Sequence, residues 1–164
     1  YVIIKICKSL HFDRKALCFS FYMSSGIIIT NNKERRKIMN TVKRVAKFEK
    51  VSFEQFCKDV NDSKCVKSIY DDLSLPTRAT KHSAGYDFFL PYDVTFKPGE
   101  TLLIPTGIRV RIDCNWVLKI YPRSSLGFKY MLALNNTVGI IDADYYNAKN
   151  EGHIFVKLTN HSNQ

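Results

Sequence analysis

Glycine and proline are scarce in this sequence, with 7 and 5 residues respectively among 164. Such a composition excludes a collagen-like repeat and leaves no place for a long flexible linker. Hydrophobic residues make up 45% and charged residues 24% of the chain, so it is not a disordered tail and can form one domain with an apolar core. The sequence contains no internal repeat or low-complexity tract.

Paired cysteine spacing is also missing. The chain has five cysteines, an odd number, and none of them form a Cys-x-x-Cys pair. This pattern argues against a disulfide framework and against a zinc site, and it favours a reducing compartment. We therefore expect free thiols in a cytoplasmic protein, at positions Cys7, Cys18, Cys57, Cys65 and Cys114.

No segment combines the length and the apolar character of a membrane span. Residues 16–32 carry no charge, but serine, threonine and asparagine side chains dilute their hydrophobicity. The segment also lacks a convincing small-residue cleavage site of the kind that ends a signal peptide. The sequence therefore predicts no membrane association.

The net charge of +10 would suit a nucleic-acid-binding protein, but the charge is unevenly distributed. Residues 1–38 contain 8 basic and 2 acidic residues, whereas residues 39–164 contain 17 and 13. The longer part is only mildly basic, as is typical of an enzyme that handles a small polyanion. We predict no nucleic-acid partner.

Residues 1–38 show no clean periodicity, and we interpret them as a segment outside the native protein. Residues 34–39 (Glu-Arg-Arg-Lys-Ile-Met) can be back-translated to GAA-AGG-AGG-AAA-ATT-ATG, in which AGGAGG is a bacterial ribosome-binding sequence just ahead of a start codon. Met39 would then be the first native residue of a domain over residues 39–164. The alternative is a genuine N-terminal extension. Arginine codons other than AGG at Arg35 and Arg36 would overturn the upstream interpretation.

Residues 52–60 are predicted to form a short helix. Ser52 and Gln55 have the spacing of a capping box, in which a hydroxyl and an amide satisfy each other's backbone N–H groups. The apolar residues of the segment fall on one helix face, which we expect to pack against a core. These residues are Phe53, Phe56, Cys57 and Val60.

From Leu75 onward the pattern is that of β-strands. Short segments rich in aromatic and β-branched residues alternate with turns, and Pro98-Gly99 is typical of a type II turn. Many short strands with a single helix predict an all-β sandwich or jelly roll. The predicted strands are residues 86–90, 93–96, 101–104, 108–112, 116–121 and 153–158.

Three segments carry polar residues that a β-sheet core does not need. They are Ser-Ala-Gly-Tyr-Asp at 83–87, Pro-Arg-Ser-Ser-Leu-Gly at 122–127 and Gly-Ile-Ile-Asp-Ala-Asp-Tyr-Tyr at 139–146. Each segment alone could be a solvated turn, with its aspartates accepting backbone N–H bonds. Together they supply the parts of phosphoryl chemistry: a carboxylate for hydrated Mg²⁺, an arginine with hydroxyls for phosphates, and a carboxylate to activate water.

In order and spacing, the three segments resemble the motifs of the trimeric dUTP diphosphatase (dUTPase) family. Leu-Pro-Thr-Arg-Ala-Thr at 75–80 is also typical of the approach to the first motif. The resemblance covers roughly residues 48–164. It is closest to the Gram-positive bacterial and phage branch, through residues 48–53 and 144–155.

The resemblance implies a jelly-roll homotrimer with sites between subunits that hydrolyses dUTP to dUMP and pyrophosphate. Such an enzyme supplies dUMP for dTMP synthesis and keeps uracil out of DNA. Asp142 would be the general base that aligns a water for in-line attack on the α-phosphorus. Asp87 would hold the Mg²⁺ cofactor through its water shell, while Arg123, Ser124 and Ser125 would bind the phosphates.

The same resemblance implies that residues 134–147 form a hairpin that receives uracil. Main-chain groups there, including those of Gly139 and Ile141, would read the pyrimidine edge, and Asn136 would help to fix the base. Tyr145 would pack against the sugar face and leave no space for a 2′-hydroxyl. The alternative interpretation of Tyr145 is an ordinary aromatic residue of the core.

The sequence departs from the family pattern in two places. Met131 stands where the second motif usually continues with glycine. The fourth and fifth family motifs do not occur before Gln164, so we interpret the chain as a fragment and expect it to turn over dUTP negligibly.

Two other functions stay open. A dCTP deaminase shares the fold, but it expects a Pro-Gly-Phe-like run where Ala143, Asp144 and Tyr145 stand. A regulatory module of the phage derepressor type would use residues 147–152 as a surface loop for a protein partner.

Overall fold

The computed structural model describes residues 10–12, 19–25, 44–60 and 65–163. Strands dominate these residues, as an all-β protein requires. They are β1 (Leu10–Phe12), β2 (Phe19–Ser25), β3 (Ala46–Lys50), β4 (Tyr86–Asp87), β5 (Val94–Phe96), β6 (Thr101–Pro105), β7 (Ile108–Ile112), β8 (Trp116–Pro122), β9 (Leu132–Leu134), β10 (Gly139–Ile141) and β11 (Phe155–Asn160).

The strands form two larger sheets and two antiparallel pairs. One sheet has the order β10-β8-β2-β4, and the other has the order β6-β11-β9. Strand β3 pairs with β7, and β1 pairs with β5. Buried side chains from strands of both larger sheets, among them Leu118, Ile120, Val156 and Leu158, form one apolar core with Phe96 of β5. The prediction of an all-β fold is confirmed.

The helices are short, and there are more of them than the single helix predicted. Helix α1 (Phe53–Asp59) matches the prediction closely. Helices α2 (Lys67–Asp71) and α3 (Ser124–Tyr130) and a 3-10 helix (Ala143–Asn147) were not predicted. None of the three has the side-chain cap that marks the start of α1.

Helix α1 begins at the predicted cap, but only half of the capping box forms. The backbone N–H of Gln55 donates to Ser52 Oγ at 3.1 Å. The Gln55 amide does not return to Ser52. It donates to Asp59 at 2.8 Å, and the N–H of Ser52 donates instead to Glu151 at 2.8 Å. A carboxylate that is distant in sequence therefore takes the place of the predicted amide.

The turn at Pro98 and Gly99 forms as the sequence predicts. The N–H of Glu100 donates to the carbonyl of Lys97 at 3.0 Å, and Gly99 has a φ of 73°. Proline sets the first central residue and glycine accepts the positive φ of the second, as a type II turn demands.

Two strands lie in the segment that was interpreted as upstream of the native protein. β2 lies between β8 and β4, and β1 lies beside β5. The remaining residues of 1–38 lie outside the described residues. The proposed division at Met39 stays a prediction. It has to be reconciled with the pairing of β1 and β2 to strands that follow Met39.

The expectation of free thiols is wrong at two positions. Cys57 and Cys65 form a disulfide with a Cα–Cα distance of 4.9 Å. Cys57 lies on α1 and Cys65 lies just before α2, and both helices pack around a second apolar cluster that contains Phe56, Val60 and Leu73. This packing brings the two residues together, and their spacing alone does not reveal it. Cys114 is free and exposed, whereas Cys7 and Cys18 lie outside the described residues.

Within the described part of the chain, no helix has the length and hydropathy that crossing a bilayer requires.

Candidate functional site

An open cleft of about 490 Å³ lies beside β10 and the 3-10 helix. It brings together three residues that the sequence predicted for one site, Ile141, Asp142 and Tyr145. Asp142 is exposed, and Tyr145 is half-buried. The other lining residues are Ile140, Asp144, Ala148 and Phe155. We call this feature the β10 cleft.

Close backbone packing explains the glycine that begins β10. Gly139 pairs with Ile120 of β8, and a Cβ atom at Gly139 would lie 3.0 Å from the Ile120 Cβ. Asn136 is exposed on the preceding turn, where the N–H of Thr137 donates to the carbonyl of Leu134 at 3.0 Å. The predicted uracil-binding residues are thus placed along one turn and strand.

The predicted hairpin over residues 134–147 needs correction. The chain does reverse at this turn, but its two arms do not form one ladder. β9 pairs with β11 and β10 pairs with β8, so the arms join different sheets. Bridging two sheets lets β10 extend the edge of the larger sheet, and sequence periodicity cannot distinguish this from a simple hairpin.

Tyr146 ends the third motif but was not among the predicted site residues. It anchors the 3-10 helix to the neighbouring strands. Its ring lies under the guanidinium of Arg109, 3.7 Å from it, and its hydroxyl donates to Glu49 at 2.6 Å. This hydrogen bond is the main cause that lowers the pKa of Glu49. Arg111 stacks on the same ring and bonds its hydroxyl at 3.0 Å. The anchor fixes the backbone that carries Tyr145.

A second group of predicted residues lies at the other end of β8. Nη1 of Arg123 is 3.3 Å from Oδ2 of Asp87, and their side chains are 46% and 15% exposed. We call this contact the Asp87–Arg123 pair. Ser124 and Ser125 are exposed in the first turn of α3, directly after Arg123. Strand β2 joins the two motifs, because its Ser20 pairs with Asp87 on one side and with Tyr121 on the other.

The two groups are far apart within one chain. Asp142 follows Ile141, which pairs with Leu118 near the start of β8, whereas Arg123 follows the last residue of that strand. From the level of Asp142 to Arg123 the distance along the strand is about 20 Å. One chain therefore does not bring the predicted general base to the predicted phosphate-binding side chains.

Among the residues that the structure describes, Asp87 offers a carboxylate that suits the predicted magnesium site. Carboxylate oxygen is a ligand that Mg²⁺ prefers, and this ion usually keeps several waters. No group of three or more His, Cys, Asp or Glu side chains among the described residues could hold a metal ion. A single carboxylate fits an ion that is held through water and substrate phosphates. It does not fit an ion that is coordinated by protein ligands on all sides.

The similarity to known proteins covers the region that contains the three motifs. Residues 71–164 match a sequence model of the dUTPase family. The chain belongs to the dUTPase family. It is 46% identical over 93 residues to a deoxyuridine 5′-triphosphate nucleotidohydrolase of Lactococcus lactis and 43% identical over 99 residues to one of Haemophilus influenzae. A crystal structure of dUTPase from Streptococcus mutans matches with a TM-score of 0.55 and 37% identity, covering 71% of this chain and 80% of that one.

The matched region is shorter than the whole relatives. The match covers 56% of this chain and 62% of the Lactococcus protein, and 58% and 62% for the Haemophilus protein. The chain therefore spans less than two thirds of these curated relatives. The jelly-roll fold of the family agrees with the all-β sheets described above.

Proposed function

We propose that this protein hydrolyses dUTP to dUMP and pyrophosphate. The observation that carries the proposal is the β10 cleft, where the carboxylate of Asp142 and the ring of Tyr145 line one space. A carboxylate there can take a proton from water, and an aromatic face beside it can pack against a sugar. The product dUMP would serve dTMP synthesis, and removal of dUTP would keep uracil out of DNA.

In this proposal the turn and strand before Asp142 bind the nucleoside. The backbone of Gly139 and Ile141 reads the edge of uracil, and Asn136 helps to orient it. Tyr145 excludes a 2′-hydroxyl, because its hydroxyl group is already bonded to the carbonyl of His153 at 2.8 Å and its ring position is therefore fixed.

The phosphates are bound at the other group of residues. Arg123 supplies a fixed positive charge, and the exposed hydroxyls of Ser124 and Ser125 supply donors. Bound Mg²⁺ would neutralise phosphate charge, and Asp87 would hold its hydration shell. The present contact between Arg123 and Asp87 keeps both side chains near the position where a triphosphate would lie.

The distance between the two groups supports an assembly with shared sites. The general base and the phosphate-binding side chains must act on neighbouring atoms of one triphosphate. Since they lie at opposite ends of β8, they must come from different copies of the chain. A homotrimer with sites between subunits satisfies this requirement.

The contacts of residues 147–152 favour catalysis over the regulatory alternative. Glu151 accepts two hydrogen bonds from Ser52, and Asn150 donates to the Tyr145 hydroxyl. Gly152 is buried. A loop committed to internal contacts has few groups left for a protein partner, whereas it is well suited to support the cleft beside it.

Replacement of Asp142 by asparagine tests the proposed base. The host should be a chain extended after Gln164 with the fourth and fifth family motifs. Asn keeps the size and hydrogen bonding of Asp but cannot accept a proton, so kcat for dUTP should fall by roughly 10²–10⁴. Pyrophosphate release measures turnover, and a binding titration should show nucleotide affinity largely unchanged.

Asp144 provides the matched comparison, because it is an exposed carboxylate on the same cleft. Asp144→Asn should change kcat by less than threefold. A large loss in Asp144→Asn with little loss in Asp142→Asn would show that the base is assigned to the wrong carboxylate. Ammonia release from dCTP without pyrophosphate release from dUTP would instead establish the deaminase.

A further inference from the structure

The hydroxyl of Tyr145 has both of its hydrogen-bonding roles filled. It donates to the backbone carbonyl of His153 at 2.8 Å and accepts from the side-chain amide of Asn150 at 3.0 Å. With the hydroxyl held at two points, the ring cannot turn away from the cleft without breaking buried or half-buried hydrogen bonds. The position of the ring thus depends on what holds His153.

The imidazole of His153 is fully buried and bonded at both nitrogens. The N–H of Gly107 donates to Nε2 at 2.7 Å, and Nδ1 lies 2.6 Å from Oδ2 of Asp59. A backbone N–H can only donate, so Nε2 must be the acceptor, and the ring proton must lie on Nδ1 and point to Asp59. The geometry therefore sets the tautomer and makes Asp59 the acceptor.

Asp59 closes helix α1, and Ser52 caps its start. Both ends of this helix hold the chain that follows Tyr145. Ser52 donates its N–H and hydroxyl to Glu151 at 2.8 and 2.7 Å, and Asp59 binds His153. The amide of Gln55 gives Asp59 a second hydrogen bond at 2.8 Å, which fixes the carboxylate.

We infer that Asp59 and His153 are positioning residues that hold Tyr145 in place for discrimination between deoxyribose and ribose. The inference rests on the proposed function, in which Tyr145 faces the sugar. Asp59 orients the imidazole, the imidazole fixes the His153 backbone, and the carbonyl of His153 holds the hydroxyl of Tyr145. A helix remote in sequence thereby sets the specificity of the cleft.

The test measures the binding of dUMP and UMP to the full 164-residue chain and its variants by calorimetric titration. Asp59→Ala should reduce the preference for dUMP over UMP by about tenfold, a typical coupling within one hydrogen-bond network. Asp59→Asn keeps an oxygen that accepts from Nδ1 and should retain the preference within threefold. Glu54→Ala, an exposed change on the same helix, should leave it unchanged.

A purely structural role would give a different pattern. Asp59→Ala would then weaken both nucleotides equally, and an unchanged dUMP-to-UMP ratio overturns the inference. Action through the hydroxyl is checked in Tyr145→Phe, where adding Asp59→Ala should produce no further loss of preference. A further tenfold loss in the double variant also overturns it.

A readout without nucleotide separates this inference from the proposed function. If the unmodified chain binds neither dUMP nor UMP, and the chain with the fourth and fifth motifs releases no pyrophosphate from dUTP, the proposed function fails. The ring resonances of Tyr145, assigned by comparison with Tyr145→Phe, should still shift in Asp59→Ala and stay in place in Glu54→Ala. Unchanged Tyr145 resonances in Asp59→Ala would show that Asp59 does not position the ring.

Discussion

The β10 cleft and the Asp87–Arg123 pair differ in what holds their side chains. In the cleft, Tyr145 is bonded twice, and the contacts continue to a fully buried histidine. In the pair, an exposed arginine meets one oxygen of a half-buried carboxylate at 3.3 Å. An ion pair with one partner open to solvent contributes only about 1 kcal/mol, because water and salt screen it.

The difference matches what each half is proposed to bind. A rigid slot suits a base and a sugar, which are recognised by shape and by fixed hydrogen bonds. Phosphates with a hydrated ion change their geometry as the reaction proceeds, so side chains that rearrange at little energetic cost suit them. Local rigidity in this molecule thus follows the chemistry proposed for each group of residues.

Breaking β2 should have the largest effect, and it should act on the Asp87–Arg123 half. Phe21 pairs with Tyr86 on one side and with Ile120 on the other. Proline there removes a backbone donor from an interior strand, so Phe21→Pro should lower the free energy of unfolding by about 3 kcal/mol or more. Urea denaturation measures the loss, with Phe21→Ala as the control that keeps the backbone N–H.

Amide hydrogen exchange shows which strands lose protection. Amides of β4 should lose protection in Phe21→Pro, while those of residues 141–153 keep theirs. Equal unfolding curves for Phe21→Pro and Phe21→Ala would mean that residues 1–38 do not contribute to the stability of the fold. That result would agree with the interpretation of this segment as lying outside the native protein.

Gly152 is the point at which to break the β10 cleft. Its φ is 70°, and an added Cβ would lie 2.7 Å from the carbonyl oxygen of Tyr145 and 2.8 Å from the Cα of Tyr146. Gly152→Ala should cost about 2–3 kcal/mol, because rigid backbone must shift. Thermal or urea unfolding measures the loss.

Gly99 supplies a matched control for that substitution. It has nearly the same φ, 73°, but nothing lies within 4 Å of the added Cβ. Gly99→Ala should therefore cost only about 1 kcal/mol. Equal losses at the two glycines would contradict the close contact with Tyr145.

Acid should weaken the contacts that support Tyr145 in the β10 cleft. Burial lowers the pKa of His153 below its usual 6.5, so the unfolded chain binds a proton that the folded chain refuses. Stability should then fall as the pH drops below about 6.5, with a slope of at most about 1.4 kcal/mol per pH unit. The two hydrogen bonds from Ser52 lower the pKa of Glu151, which adds a loss below its usual 4.5.

Unfolding free energies measured between pH 8 and pH 5 check this sign. The reverse trend, with stability rising on acidification through pH 6, would mean that His153 is protonated in the folded protein.

The smallest expected effect concerns Met131, which ends α3 with a φ of 52°. A left-handed conformation is strained for methionine and relaxed for glycine, the residue that the resemblance leads us to expect here. Met131→Gly should raise the free energy of unfolding by about 0.5–1 kcal/mol. Lys129→Gly, inside the same helix, should lower it by about 1 kcal/mol, so a loss in both variants would contradict the assignment.

Much of the fold was predictable, because its signals are local. The helix beginning at Ser52, the turn at Gly99 and the strand over residues 108–112 depend on residues within a few positions of each other. The segment Leu132–Leu134 and the three residues of β10 escaped prediction. They pair with β11 and β8, so their pairing depends on contacts with separate strands and not on a local pattern.

The same distinction between local signals and long-range contacts applies to the candidate site. Its motifs, which include Asp87, Arg123, Asp142 and Tyr145, are contiguous segments, so their residue types and order identified them. Asp59 lies in no motif, and His153 lies in the tract 144–155 without any sign of a partner; no spacing connects the two across 94 positions. Only the folded chain shows that one holds the other.

The sequence by itself determined the all-β class, the family and the chemical groups available, because these depend on composition, short-range pattern and contiguous motifs. The tertiary structure alone decided the Cys57–Cys65 disulfide, the place of β2 between β8 and β4, and the support that α1 gives to Tyr145. Each of these is a contact between elements that the chain brings together only on folding. Their geometry follows from how sheets and helices pack around a shared core, which no local pattern in the sequence encodes.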